Sequence, residues 1–172
     1  MGRDKALLPF AGSTLAEFVA RTVASVTGQV VLVGEPDRYH DLGYPVISDR
    51  YPGEGPLGGI LAALDHTQSD WNLMVACDMP GISGEFLSRI LEAAEKSTDD
   101  VLLPIGPGGR PEPLCAAYNR RALKALESAF TSGERKITRA LQAVRTAKLV
   151  IPELAPFQNV NTPEDWARHA AE

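Results

Sequence analysis

The stretch Trp71-Asn72-Leu73-Met74-Val75-Ala76-Cys77-Asp78-Met79-Pro80 constrains the fold of this chain more than any other. From Leu73 to Cys77 every residue is apolar, without the alternation of a half-solvated strand. Such a run suits a strand covered on both faces, as in the parallel sheet of an α/β domain. It stops at Asp78, and Pro80 forbids further ladder pairing. Open α/β sheets bind ligands beyond the carboxyl ends of their strands. A carboxylate placed there can hold a hard cation such as Mg²⁺ against phosphates. The alternative is a turn or helix-capping aspartate, since Asx side chains favour both positions.

The flanking chain alternates helical and strand patterns. Thr14 and Glu17 form a capping-box pair, and Leu15, Phe18, Val19, Val23 and Val26 follow at helical spacing, predicting a helix over 14–26. Gln29 to Val33 reads as a short strand and Pro36 to Gly43 as a loop. Val46-Ile47-Ser48 is a minor strand delivering Asp49, which either caps the next turn or faces a ligand. The loop from Pro52 to Ile60, rich in glycine and proline, runs into a helix whose N-terminus would attract anions. It matches neither the P-loop nor the Rossmann fingerprint.

Ser83 opens a helix bearing Phe86, Leu87, Ile90, Leu91 and Ala94, and Val101 to Ile105 is a further apolar strand. The loop Gly106 to Pro111 precedes a strand of small residues, Leu114 to Tyr118. Asn119 starts a helix with Leu123, Leu126 and Phe130, and Gly133-Glu134-Arg135-Lys136 introduces another through Val144. Leu149 to Ile151 reads as a strand, and Thr162-Pro163-Glu164-Asp165 as the capped start of a last helix. Strands alternating with helices over 172 residues predict a single α/β domain of three layers, residues 1–172.

A formal net charge of −5 argues against a broad nucleic-acid footprint, while leaving room for one anionic nucleotide. No apolar stretch approaches a membrane span and no signal peptide is visible. Cys77 and Cys115 lie in apolar runs and read as buried thiols in a reducing cytoplasm. His40, His66 and His169 lack metal-ligand spacing, and no nucleophile elbow is present.

Taken in order, five motifs resemble those of the molybdenum cofactor guanylyltransferases, relatives of the nucleotide-sugar pyrophosphorylases. Met1-Gly2-Arg3-Asp4-Lys5 is similar to the end of the family's opening signature, Leu-Ala-Gly-Gly-x-Ser-x-Arg-Met-Gly-x-Asp-Lys. Gly55-Pro56-Leu57-Gly58-Gly59-Ile60 resembles its second loop, and Cys77-Asp78-Met79-Pro80 its metal-binding turn. Gly133 to Ile137 and Asn159-Val160-Asn161-Thr162-Pro163-Glu164-Asp165 resemble its last two motifs.

The resemblance implies a mostly parallel, doubly wound sheet of the nucleotide-diphospho-sugar transferase type. It implies transfer of GMP from Mg-GTP to molybdopterin in the cytoplasm, with release of pyrophosphate. Lys5 would contact the triphosphate, Asp49 and Gly59 the nucleotide, and Asp78 the Mg²⁺. Asn161 would complete the metal or phosphate site, with Asn159, Arg135 and Lys136 on the molybdopterin side. Implied partners extend to other cofactor-biosynthesis proteins and acceptor molybdoenzymes. Such chemistry needs in-line positioning and charge neutralisation, not a protein base, because the attacking phosphate is already ionised.

The family's first strand and glycine-rich loop would fall before Met1, so the sheet is expected without its first strand. About 10 to 15 further residues upstream are expected in the natural protein on this ground, one strand and its loop. Without them, the strand at 29–33 and the strand at 73–77 must leave a slot between them or pair directly. Gly34 stands where the guanylyl branch tends to carry asparagine. The alternatives are a cytidylyl- or sugar-1-phosphate nucleotidylyltransferase of the same fold, or a non-catalytic nucleotide-binding protein.

Overall fold

The computed structural model describes residues 4–157. A short turn over Lys5–Leu7 leads into a hairpin of β1 (Pro9–Phe10) and β2 (Ser13–Thr14). Thr14 then caps α1 (Leu15–Thr27) through the expected reciprocal pair. Glu17 N donates to Thr14 Oγ1 at 3.2 Å, and Thr14 N donates to Glu17 Oε2 at 2.7 Å. β3 is only Leu32–Val33 and pairs in parallel with β4 (Val46–Ile47). The stretch expected as a plain loop between them holds α2 (Pro36–Tyr39) and a turn over His40–Leu42. The order continues with α3 (Pro56–His66), β5 (Trp71–Val75), α4 (Gly84–Glu95) and β6 (Val101–Ile105). β7 (Cys115–Asn119), α5 (Leu123–Thr131), α6 (Ile137–Ala140) and β8 (Thr146–Val150) complete it.

The central sheet runs β5-β7-β6-β8. β5 and β6 are both antiparallel to β7, and β6 is parallel to β8, so the sheet is mixed, with β7 opposing its three companions. The reason lies in the connection. A parallel return needs a crossover of about a dozen residues, usually a helix, whereas the loop over 106–114 contains only a short turn at Pro107–Gly109.

Alternate residues of the sheet feed two cores. Leu102, Cys115 and Ala117 meet Leu15, Val19 and Val23 of α1 and Phe86, Leu87 and Ile90 of α4. Val101, Leu103, Ala116 and Tyr118 meet α3 and α5 on the opposite face, through residues such as Leu57, Leu61, Leu126 and Phe130. The α/β, three-layer expectation therefore holds, and the small side chains of β7 let both helical layers close on the middle of the sheet.

β5 departs from the reading that began the sequence analysis. It is half-buried along its whole length, and Ala76 and Cys77 lie beyond it. One edge pairs with β7, while the other borders a cleft of about 1860 Å³ that β3 lines from the far side. β3 and β5 form no ladder with each other, so of the two expected outcomes the structure takes the slot. Cys77 is consequently exposed rather than buried; Cys115, inside β7, is buried as expected. Among the described residues no helix is long and apolar enough to cross a membrane.

Candidate functional site

The chain turns at the carboxyl end of β5 and presents Asp78 to this cleft. Its Oδ1 is enclosed and, among the described residues, has no hydrogen-bond partner. Burial pushes the carboxyl above the usual carboxylate range, against the pull of its own backbone and of the Lys5 charge. Lys5 belongs to the Lys5–Leu7 turn, capped by Asp4, whose Oδ1 accepts from Ala6 N at 3.0 Å. The Lys5 charge acts on both Asp78 and Cys77, so the turn and the end of β5 form one electrostatic site. Protein packed around the Cys77 sulfur, together with the Asp78 and Asp4 charges, pushes that thiol up to about 11. Burial pushes Cys115 up to about 12, so neither thiol supplies a thiolate nucleophile at neutral pH.

On the far wall, Asp49 takes the turn-capping position. Its Oδ1 accepts from Tyr51 N at 2.8 Å, closing a turn, and the residue also lines the cleft. The same oxygen lies 3.1 Å from where a side-chain carbon on Gly58 would sit, which puts the carboxylate against the first turn of α3. That helix starts at Gly55 with no side-chain cap, and Gly55 and Gly59 line the cleft. Uncapped amides at a helix start are suited to anionic groups.

Arg135 is not remote from these motifs. Its Nε donates to Glu54 Oε2 at 2.6 Å and its Nη1 to the Phe130 carbonyl at 2.7 Å. Arg135 and Glu54 lie 81 residues apart in the chain, yet the pair brings Arg135 against the loop before α3. Lys136 is exposed, with its backbone N donating to Glu134 Oε1 at 2.8 Å. Asn159, Asn161 and the expected last helix lie outside the described residues. The chain leading to them is anchored beside the Asp78 turn: Phe157 is buried and meets Phe86 edge-on at 5.4 Å.

Two cleft residues, Tyr39 and Glu112, and one residue of the adjoining loop, Glu54, escaped sequence reasoning. Glu54 pairs with Arg135, and Tyr39 reaches Asp4 at 2.6 Å. Glu112, with a side chain 14% exposed, pairs with Arg110 at 3.2 Å; burial pushes its carboxyl up while Arg110 pulls it down. An acid set between Pro111 and Pro113, just before a buried strand, was the available signal for Glu112.

Among the described residues no three His, Cys, Asp or Glu side chains gather in a metal-binding group. A single carboxylate with an orphaned oxygen suits Mg²⁺ that takes its other ligands from phosphates and water. A carboxylate and an open helix start line this cleft, and the Lys5 charge acts on that carboxylate; groups of this kind suit the positioning and neutralisation of phosphates. This is the outfit of a nucleotide-handling transferase.

Comparison with known proteins gives the family. The model of the MobA-like NTP transferase domain matches residues 1–147. A probable molybdenum cofactor guanylyltransferase of Bacillus cereus is 29% identical over 97% of this chain and 88% of its own length. The molybdenum cofactor guanylyltransferase of a Shewanella species is 31% identical over 99% of this chain and 88% of its own length. The crystal structure of molybdopterin-guanine dinucleotide biosynthesis protein A from Archaeoglobus fulgidus superposes with a TM-score of 0.83. It is 30% identical and covers 99% of this chain and 90% of that one. The chain belongs to the MobA-like NTP transferase family and is a nucleotidyltransferase.

Proposed function

We propose that the protein transfers GMP from GTP to molybdopterin in the cytoplasm, passing its product towards acceptor molybdoenzymes. A phosphate oxygen of the pterin attacks the α-phosphorus of GTP, the bond to the β-phosphate bridging oxygen breaks, and pyrophosphate leaves. The observation that carries this reading is the enclosed, unpartnered Oδ1 of Asp78 beside the Lys5 charge. Mg²⁺ held by Asp78, with Asn161 as the second candidate ligand, would supply charge neutralisation at the phosphates. Lys5 holds the triphosphate, and Asp49 and Gly59 hold the nucleotide against the start of α3. Asn159 and Lys136 are the candidates for contact with the acceptor, and Arg135 braces the loop before α3 through Glu54.

The experiment is a panel of GTP, CTP and UTP, each with Mg²⁺ and molybdopterin, read as dinucleotide and pyrophosphate formed. GTP should be preferred. Preference for CTP would make the protein a cytidylyltransferase. Nucleotide binding without product in any arm would make it a non-catalytic binder.

A further inference from the structure

The wall of the cleft opposite β5 carries a contact that the transfer step leaves unexplained. Tyr39 closes α2, and its hydroxyl donates to Asp4 Oδ2 at 2.6 Å. Arg38 Nη1 donates to the same oxygen at 3.4 Å. Asp4 Oδ1 is already committed to Ala6 N, the bond that caps the Lys5–Leu7 turn. One carboxylate therefore ties the turn carrying Lys5 to the helix after β3. The Tyr39 ring lies over Gly34, where a side-chain carbon would come 2.7 Å from Tyr39 Cε2 and 2.9 Å from Cδ2. Non-bonded carbons settle at about 3.5–4.0 Å, so the ring occupies space that any residue larger than glycine at 34 would need. Packing with Leu32, Tyr44 and the buried Ala6, Ala16 and Leu42 holds the ring there. Burial and the neighbouring Asp4 push the Tyr39 hydroxyl up to about 12, so it remains a donor across the neutral range.

We propose that Tyr39 is a positioning residue for Lys5: through Asp4 it fixes the turn from which the Lys5 ammonium meets the nucleotide phosphates, and Gly34 provides the space that admits its ring. The inference rests on Lys5 being the triphosphate contact. Its physical basis is the shortness of the turn. A three-residue turn cannot by itself hold a long side chain to the sub-ångström tolerance that group transfer demands, and an external tie supplies that precision.

The test compares the wild type with Lys5→Ala, Tyr39→Phe, the double variant and Gly34→Ala. Readouts are kcat, KM for GTP and for molybdopterin, melting temperature and exchange of the Ala6 amide. Tyr39→Phe keeps the ring and loses the bond. It should lower kcat by about ten- to a hundredfold, speed Ala6 exchange and leave the KM for molybdopterin and the melting temperature near wild type. Gly34→Ala should reproduce that loss by displacing the ring. The double variant should be no worse than Lys5→Ala alone, because both changes disable one group. Wild-type kcat in Tyr39→Phe beside a crippled Lys5→Ala overturns the proposal and leaves the role of Lys5 standing. Multiplying losses in the double variant, or lost turnover with unchanged Ala6 exchange, overturns it too. Wild-type turnover in Lys5→Ala removes the role of Lys5 and the proposal together.

Discussion

The Arg135 guanidinium lies 3.9 Å above the centre of the Phe130 ring, an arrangement that leaves its Nε free to reach Glu54 in the glycine-rich loop. Cation–π contacts at such sites contribute about 0.5–2 kcal/mol, and the exposed ion pair adds about 0.2–1 kcal/mol. Arg135→Ala should therefore loosen the loop before α3 and raise the KM for GTP by about fivefold, equivalent to about 1 kcal/mol. Lys136→Ala should leave that KM unchanged and raise the one for molybdopterin. Steady-state kinetics with each substrate varied will separate them. An effect of Arg135→Ala on molybdopterin alone would return that residue to the acceptor side.

Asp78→Asn should abolish Mg²⁺-dependent transfer while preserving the fold. The enclosed Oδ1 has no partner among the described residues to lose, so the melting temperature should hold or rise. Removing the charge that supports a metal ion costs several kcal/mol in the transition state, about tenfold in rate for each 1.4 kcal/mol. Retention of more than about a tenth of wild-type turnover, by the same arithmetic, would make Asp78 a structural turn residue.

Gly81 permits the close approach of the segment that precedes the Asn159 motif. A side-chain carbon on Gly81 would lie 2.0 Å from the Ala155 carbonyl oxygen. Gly81→Ala must push residues 155–157 away from the Asp78 turn, at about 1–3 kcal/mol for overpacking. A drop of a few degrees in melting temperature is expected, with turnover falling as well. Gly84→Ala is the control, because its added carbon meets Ser25 Oγ at 3.4 Å and Val26 Cγ2 at 3.6 Å, both ordinary contacts. Equal behaviour of the two variants would show that the segment shifts without consequence.

Asp100, which does not line the cleft, accepts from Arg121 Nε at 2.6 Å and from Arg145 N at 3.1 Å. Partial burial pushes its carboxyl up, but the hydrogen bonds from Arg145 and Arg121 win and hold it at about 2, below the ordinary 3.8. A depressed folded value means stability that is present above 3.8 and lost as pH falls through about 2. Asp100→Asn should thus melt below the wild type at neutral pH, with the gap closing between about pH 4 and pH 2. A gap that stays constant across that window would show that the carboxylate charge contributes nothing.

The features legible in the sequence were those set by local chemistry. The apolar run at Val101–Ile105 became β6 with the same bounds, and the Thr14–Glu17 pair capped α1 as expected. Where an element depends on a distant partner, sequence reading lost precision. Gln29–Val33 shrank to a two-residue β3, because its ladder extends only as far as β4 does, and the expected strand at 149–151 is β8 over Thr146–Val150. The direction of β7 depends on the loop before it rather than on its own residues. In the site, the Lys5 charge acts on Asp78 across 73 residues of sequence, a proximity that no local pattern encodes. The tie between Tyr39 and Asp4 spans 35 residues, and a single long-range hydrogen bond leaves no periodic trace in a sequence.

The opposed strand β7 also sets an order on biosynthesis. Among the described residues, β5 finds its ladder partner in β7, and β6 pairs with β7 and β8. A nascent chain that has cleared the ribosome through Ile105 thus carries two strands of the central sheet and none of its ladders. Its apolar helices α1, α3 and α4 have no floor to settle on, and such exposed surfaces are open to misassociation. Stalled chains of increasing length should gain protease resistance only once Asn119 has emerged. At about 5–20 residues per second, the vulnerable interval lasts on the order of a second, and one short segment of small side chains brings it to a close.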